Sequence, residues 1–88
     1  MKISIFTPTY NRAYTLGALY ESLRKQTCQD FEWIIVDDGS TDNTEELCHR
    51  FNSDLFPIHY FKTQNHGKHV AINFGAQKAL GEWFFIVD

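Results

Sequence analysis

The chain has 88 residues, 43% of them hydrophobic and 16% aromatic, and its formal net charge is −3. This length limits the chain to one domain, and the composition is typical of a globular protein rather than a disordered one. Acidic and basic residues are mixed along the sequence, without the basic stripe that nucleic-acid binding requires, so we expect no nucleic-acid partner.

The sequence also lacks the signals of membrane insertion and secretion. No apolar run approaches the ~20 residues of a membrane span, and the first residues do not contain the apolar stretch of a signal peptide. We therefore expect a cytoplasmic protein, with the inner face of a membrane as an alternative. The two cysteines, Cys28 and Cys48, fit that compartment as free thiols rather than as a disulfide.

The first half of the chain predicts a strand, a helix and a second strand. Residues 3–7 are rich in β-branched residues, and Pro8 is expected to end this strand. Over 15–25 the apolar residues recur at the spacing of one helix face. The continuous apolar run 33–36 is typical of a strand that is covered on both faces.

The second half continues the alternation. Asp42 and Glu45 resemble a capping box that opens a helix. Residues 56–61 contain a proline and alternate in polarity, which favours an edge strand. A third helix is predicted over 70–80, where small residues at every fourth position let it lie close to a sheet. The apolar run 83–87 predicts a last strand, again buried on both faces.

This β-α-β-α-β-α-β order predicts an α/β fold with a mainly parallel sheet and helices on both faces. In such sheets, ligands bind outside the carboxyl ends of the strands, where the strand order reverses. The loops that follow the four predicted strands are therefore the places where we expect function.

The loop after the first strand contains four adjacent side chains of different chemistry. They are Thr9, Tyr10, Asn11 and Arg12, which supply a hydroxyl, an aromatic ring, an amide and a guanidinium. Such a loop can stack a base and bind its edge, and we take Arg12 as one of the substrate-binding candidates. An ordinary loop with a helix cap is the alternative.

Two adjacent carboxylates, Asp37 and Asp38, follow the second strand. They repel each other unless a cation or N–H donors offset their charge, so stability alone does not account for them. Gly39 permits a positive φ or a close approach by a ligand. A carboxylate here can accept a hydrogen bond from a base or hold a hard metal ion, and we assign that function to Asp38 ahead of Asp37. Capping of the next helix is the alternative.

Lys68 follows the third predicted strand, near the start of a predicted helix. Helix N-termini favour anions, so a diphosphate can bind there. A complete phosphate-binding loop is excluded because its spacing glycine and its hydroxyl are missing. His66 and His69 are three residues apart, but no further ligand is spaced to complete a zinc site.

Asp88 follows the fourth strand and is the candidate ligand for Mg²⁺ or Mn²⁺. Hard cations take about six oxygen ligands, so the others would have to come from diphosphate, water or residues outside this sequence.

An ordered set of motifs in these loops resembles family 2 of the glycosyltransferases, and the resemblance covers essentially the whole chain. The motifs are, in order, Pro8-Thr9-Tyr10-Asn11-Arg12, Gln26-Thr27, Phe31-Glu32, Ile35-Val36-Asp37-Asp38-Gly39-Ser40-Thr41-Asp42, Asn65-His66-Gly67-Lys68, Asn73-Phe74-Gly75 and Gly81-Glu82-Trp83.

The resemblance implies a GT-A fold, of which this chain would form the Rossmann-like half. It also implies transfer of a sugar from a nucleotide-sugar donor, usually a UDP-sugar, with inversion, and with Mg²⁺ or Mn²⁺ bridging the diphosphate. Thr9 and Tyr10 would border the base, and Asp38 would accept the uracil N–H. Lys68 would lie near the base or the diphosphate. Asp88 would be the first acid of a D-x-D motif that contacts the ribose or the metal.

The resemblance further implies that residues 1–88 are a single, truncated nucleotide-sugar-binding domain. No catalytic residue is expected within it, because the general base and the segment that binds the acceptor, an unknown saccharide or lipid-linked molecule, would lie beyond Asp88. We expect the 88 residues to bind the nucleotide without transferring the sugar, and to self-associate through bare sheet surface.

Two other functions fit parts of the pattern. A non-catalytic nucleotide-binding module has the same residues and needs nothing more. A phosphoacceptor receiver domain is also an α/β sheet with acids at strand ends. It places its acid pair after the first strand, whereas the pair here follows the second, which argues against it.

Overall fold

The computed structural model describes residues 3–64 and 67–87, and for Lys68 and His69 the description is limited to the backbone. The elements alternate as the sequence predicts. They are β1 (Ile3–Thr9), α1 (Ala13–Arg24), β2 (Phe31–Asp37), α2 (Thr44–Arg50), β3 (Ile58–Lys62), α3 (Lys68–Lys78) and β4 (Trp83–Ile86). Among these described elements, no helix is both long enough and apolar enough to cross a membrane.

The four strands form one parallel sheet in the order β3-β2-β1-β4. The chain steps outward from β1 to β2 to β3 and then returns past β1 to add β4 on the other side. The strand order therefore reverses between β1 and β4, which is the point where α/β sheets bind ligands. The predicted edge position of β3 is confirmed.

One face of the sheet is covered by α1 and α2. Leu16, Tyr20 and Leu23 of α1 pack in one cluster with Trp33, the largest fully buried side chain, and with other residues of β2. The indole Nε1 of Trp33 donates to Thr7 Oγ1 at 3.0 Å, so the buried indole N–H has its hydrogen-bond partner within the core.

The other face is covered by α3, and helices on both faces are thereby confirmed. Ala71 packs with Phe6, Ile34 and Val36. A Cβ at Gly75 would lie 2.1 Å from the Phe6 ring, so the helix approaches β1 more closely than an alanine allows. This agrees with the small residues predicted for the sheet-facing side of the helix.

The prediction that Pro8 ends the first strand is wrong, because β1 continues through Pro8 to Thr9. Thr9 accepts from Asp38 N on the β2 side, whereas Phe6 accepts from Val87 N on the β4 side. Backbone groups alternate between the two neighbours, so the nitrogen of Pro8 faces the β4 side, past the last residue of β4. A proline is tolerated where no strand requires its missing N–H.

The predicted capping box is also wrong. The helix begins at Thr44 with Asn43 as N-cap, and Asp42 N donates to Asn11 Oδ1 rather than to Glu45. The Glu45 carboxylate instead pairs with Lys62 at 3.1 Å. The side-chain oxygen of Asn11, in the loop after β1, therefore accepts from the Asp42 N–H that a capping box would have bonded to Glu45.

The last strand is not buried on both faces. Trp83 is 58% exposed and Phe85 51% exposed, and Ile86 is also exposed. The register pairs Trp83 with Ile3 and Phe85 with Ile5, which places both aromatic side chains on the α1 face, where α1 does not reach. We expected one bare edge and part of one bare face, and β4 is an edge strand of the described sheet with exposed side chains.

Candidate functional site

The carboxyl ends of β1 and β2 carry two loops that are joined by hydrogen bonds. Asp38 N donates to Thr9 O at 2.9 Å, and Asn11 N donates to Ser40 Oγ at 2.8 Å. Asn11 Oδ1 accepts from the backbone N–H groups of Thr41 at 2.8 Å and Asp42 at 3.2 Å. The two sequence motifs thus form one structural unit at the predicted edge of the sheet.

Asn11 adopts a φ of 53°, the left-handed conformation that asparagine tolerates better than most residues. This conformation accompanies the contacts of its amide across the second loop. Sequence reasoning noted the amide without assigning it this role, since its partners lie about thirty residues away.

Asp37 is fully buried and serves the loop rather than a ligand. Its Oδ1 accepts from Ser40 N at 2.9 Å, and its Oδ2 accepts from the Tyr60 hydroxyl at 2.5 Å. Burial and then this hydrogen bond to Asp37 raise the pKa of Tyr60, so its hydroxyl remains a donor. Both Asp37 oxygens are thus bonded within the fold, and the preference for Asp38 as the functional acid stays a prediction.

Asp38 points toward α3. Its Oδ1 accepts from Thr63 Oγ1 at 3.0 Å, and its Oδ2 accepts from Gly67 N at 2.8 Å, directly before α3 begins. These contacts fix the orientation of a carboxylate that is 8% exposed.

Asp42 ends the unit at the start of α2. Its carboxylate accepts from Thr44 N, from the Thr44 hydroxyl and from Ala13 N. The bond from the Thr44 hydroxyl, followed by the two backbone bonds, lowers the pKa of Asp42. This residue joins α1 to α2 and is a structural member of the loop.

Thr9 is buried, and its Oγ1 finds no hydrogen-bond partner among the residues that the structure describes. Together with Pro8 and Arg12 it lines a cavity of about 200 Å³ between the end of β1 and α1. Arg12 is exposed, and its backbone carbonyl accepts from Leu16 N at the start of α1. Tyr10 is 46% exposed.

The predicted site residues therefore fall into two groups. Thr9 and Arg12 line the cavity beside α1, whereas the Asp38 carboxylate is bonded to the segment that leads into α3. The two groups are connected through the backbone bond from Asp38 to Thr9. Thr63 and Gly67 orient Asp38. Gly67 lies within the Asn65-His66-Gly67-Lys68 motif, whereas no local sequence signal marks Thr63.

Two predicted residues lie outside the described part of the site. Asp88, the candidate metal ligand, is not among the described residues, and of Lys68 only the backbone at the start of α3 is described. His66 is likewise outside. Within residues 3–64 and 67–87 there is no cluster of three or more metal-ligating side chains.

Comparison with known proteins now identifies the chain. Residues 4–88 match the family described as glycosyl transferase family 2. The chain belongs to this family. Over 87 residues it is 40% identical to the glycosyltransferase GlyG of Streptococcus pneumoniae, covering 98% of this chain and 29% of that protein. It is 38% identical to a PGL/p-HBAD biosynthesis glycosyltransferase of Mycobacterium tuberculosis, with coverage of 96% and 33%.

Solved structures of glycosyltransferases share the fold. The structure of S. aureus TarS 1–349 in complex with UDP superposes with a TM-score of 0.90 at 32% identity, covering all of this chain and 27% of that one. A Pyrobaculum calidifontis mannosyltransferase in complex with GDP-Man and Mn²⁺ gives a TM-score of 0.85 at 26% identity, with coverage of 92% and 25%. The Rossmann-like half of a GT-A fold is thereby confirmed. The chain spans a third or less of each of these proteins.

Proposed function

We propose that these 88 residues bind the nucleotide of a nucleotide-diphosphate sugar, most simply a UDP-sugar, within a longer inverting glycosyltransferase. The observation that carries the proposal is Asp38. Thr63 and Gly67 hold its carboxylate at the carboxyl ends of the strands. A backbone bond joins Asp38 to Thr9, whose buried hydroxyl has no partner among the described residues.

The base would bind across the joined loops. In this proposal Asp38 accepts the N–H of the base, the Thr9 hydroxyl hydrogen-bonds its edge, and the half-exposed Tyr10 ring borders it. Arg12, on the same loop, contributes a positive charge for the phosphates. A bound base would supply the partner that Thr9 Oγ1 lacks among the described residues, and a buried hydroxyl without a partner costs free energy.

The chemistry of Asp38 selects among bases. Uracil presents an N–H at position 3 and guanine an N–H at position 1, and a carboxylate can accept from either. Cytosine and adenine present an acceptor nitrogen at the equivalent positions, which a carboxylate repels. UDP and GDP-Man, the nucleotides in the two structural relatives, both contain a base with such an N–H donor. This supports the proposed role of Asp38.

The diphosphate would lie toward the start of α3. Backbone N–H groups at a helix N-terminus favour anions, and Lys68 begins this helix. Asp88 is our candidate ligand for Mg²⁺ or Mn²⁺, which when bound would neutralise the charge of the departing diphosphate. The described residues contain no group of three or more metal-ligating side chains, so in this proposal the metal would depend on Asp88, the diphosphate and residues beyond this sequence.

The 88 residues alone would bind without transferring sugar. Asp37 is buried and occupied by the loop, and Asp38 is held by Thr63 and Gly67, so neither is placed as a base for an acceptor hydroxyl. A positioned general base contributes about 10²–10⁴-fold to a rate. The acceptor, an unknown saccharide or lipid-linked molecule, would be bound and deprotonated by other parts of the longer protein.

Calorimetry of nucleotide binding to wild type and Asp38→Ala tests the proposal. A hydrogen bond to a carboxylate is worth roughly 1.5–3 kcal/mol, so UDP affinity should fall about ten- to a hundredfold. Wild type should prefer UDP over CDP, and Asp38→Ala should lose that preference even if the loop shifts. Asp54→Ala, at an exposed carboxylate away from the site, is the matched control. Equal UDP and CDP affinities in wild type would refute the role of Asp38.

A further inference from the structure

The nucleotide site leaves unexplained a second carboxylate on β2, that of Glu32, near the opposite end of the strand. It is fully buried. Its Oε2 accepts from the Ser4 hydroxyl at 2.6 Å and from Leu80 N at 2.6 Å. Burying a carboxylate is costly even when it is hydrogen-bonded, and stability alone is a weak reason for one.

The contacts of Glu32 reach two other strands of the sheet and the segment that leads into β4. Ser4 lies on β1, and its Oγ also accepts from Gly81 N at 2.8 Å, two residues before β4 begins. The Glu32 Oε1 lies 3.4 Å from Nε2 of His59 on β3. That separation allows an ion pair when His59 is protonated, without the geometry of a hydrogen bond.

The sequence of β4 contains little information about its register on β1. All four residues of the strand are large and apolar, and three of them are exposed. A register shift of one residue normally moves polar side chains into the core and is thereby disfavoured. In β4 such a shift exchanges one large apolar side chain for another, so the hydrophobic pattern does not exclude it.

The chain just before β4 is held at one place. Leu80 N and Gly81 N are bound by Glu32 and Ser4. A Cβ at Gly81 would lie 2.7 Å from the backbone of Ile3 and Ser4, so the chain crosses the start of β1 at van der Waals contact. With this point fixed, the next residues pair as Trp83 with Ile3 and Phe85 with Ile5.

We propose that Glu32, acting with Ser4, is a positioning residue that selects the register of β4 on β1. In this proposal the buried carboxylate provides structural specificity rather than stability, which is the best-attested use of buried polar groups. The register decides which β4 side chains face α3, including Phe84, whose ring stacks on Phe6 at 5.5 Å. The proposal is independent of the nucleotide-binding function.

The test is Glu32→Leu, with the register measured by NMR contacts between the side chains of β1 and β4 in the full chain. Wild type should show one set, with Ile5 contacting Phe85. The variant should add contacts from Ile5 to Phe84 or Ile86, which only a shifted register brings to the same face. Its melting temperature should fall, because the Ser4 hydroxyl and Leu80 N lose a buried acceptor.

Two controls separate register from stability. His59→Gln leaves the bonds to Ser4 and Leu80 in place and should keep one register. Leu23→Ala destabilises the opposite core without touching β4 and should also keep one register at a lower melting temperature.

If Glu32→Leu does not fold, Ser4→Ala replaces it, since this variant removes the oxygen shared by Glu32 and Gly81 and should show the second register. A single register in whichever of the two variants folds would overturn the proposal. Mixed registers in wild type or in Leu23→Ala would overturn it as well, because the contacts of Glu32 and Ser4 would then not be what selects the register of β4.

Discussion

The two ends of β2 both carry carboxylates, and the structure uses them differently. Near the amino end, Glu32 is enclosed by Ser4, His59 and the chain entering β4. At the carboxyl end, Asp37 accepts from Ser40 N and from the Tyr60 hydroxyl, whereas the Asp38 carboxylate accepts from Thr63 and from Gly67, directly before α3. The position of an acid at a strand end therefore does not fix its role, which depends on the groups that surround it.

This comparison predicts that Asp37, although it belongs to the acidic motif, is a scaffold residue. Asp37→Ala removes the acceptor of Ser40 N and of the Tyr60 hydroxyl. The free energy of unfolding should fall by ~2–4 kcal/mol, since two buried donors lose a charged partner. Urea denaturation measures it. Asp37→Asn, which keeps an acceptor oxygen, should lose less, and a loss below about 1 kcal/mol in the alanine variant would contradict the scaffold role.

Near the amino end of β2 the Glu32 side chain is buried, whereas most side chains of the neighbouring strand β4 are exposed. This exposed apolar surface predicts self-association. Exposed apolar patches and unpaired strand edges attract partners. We expect the chain to dimerise or aggregate through the face that carries Trp83 and Phe85. Phe85→Lys should raise the dissociation constant at least about tenfold, equivalent to ~1.4 kcal/mol. Sedimentation that shows a stable wild-type monomer at high concentration would contradict this, and Tyr14→Lys on the exposed side of α1 is the control.

At the carboxyl end of β2, we predict a smaller effect for Thr63, which orients the Asp38 carboxylate. Thr63→Val is nearly isosteric but removes the hydroxyl that donates to Asp38 Oδ1. One such bond is worth ~1 kcal/mol, so UDP affinity should fall several-fold. Thr63→Ser keeps the hydroxyl and should bind as wild type does. Calorimetry that shows equal affinity for Thr63→Val and Thr63→Ser would mean that Thr63 does not position Asp38.

The smallest effect that we predict is a loss of folding stability at alkaline pH. It comes from Tyr60, whose hydroxyl donates to the buried Asp37 carboxylate. The pKa of Tyr60 is raised, first by burial and then by Asp37, so the folded state holds a proton that the unfolded chain releases above about pH 10. The contribution is present below that pH and is lost as the pH rises. Tyr60→Phe should reduce this part of the pH dependence, which thermal unfolding between pH 8 and about pH 11 measures.

The Cys48 thiol contributes to the pH dependence in the same range, and its substitution is the control for Tyr60→Phe. Burial raises the pKa of its thiol to about 12, so its contribution to stability is lost from about pH 9 upward. Cys48→Ala should reduce the slope between pH 9 and 12, whereas Tyr60→Phe should reduce it only above about pH 10. Identical profiles for wild type and Tyr60→Phe would contradict the assignment to Tyr60.

Much of the fold could be predicted because it depends on local patterns. The spacing of Leu16, Tyr20 and Leu23 predicted α1 and its buried face, and the continuous apolar run in β2 predicted a strand covered on both sides. The order of elements then placed Thr9 and Asp38 at one sheet edge, where the structure joins them through a backbone bond.

The errors arose where distant partners decide the outcome. Pro8 remains in β1 because β4 ends before reaching it, and Asp42 binds the first loop instead of forming a capping box. The exposure of β4 also differs from its sequence pattern, because an apolar run shows that a strand prefers burial and not whether anything covers it.

The sequence by itself determined the alternation of strands and helices, the edge at which polar residues gather and, through its motifs, the family. Only the tertiary structure decided which donors surround each carboxylate. The physical reason is that a carboxylate takes its role from the donors around it. The donors to Glu32, Asp37 and Asp38 come from residues that lie between 3 and 48 positions away in the chain, and only folding brings them together.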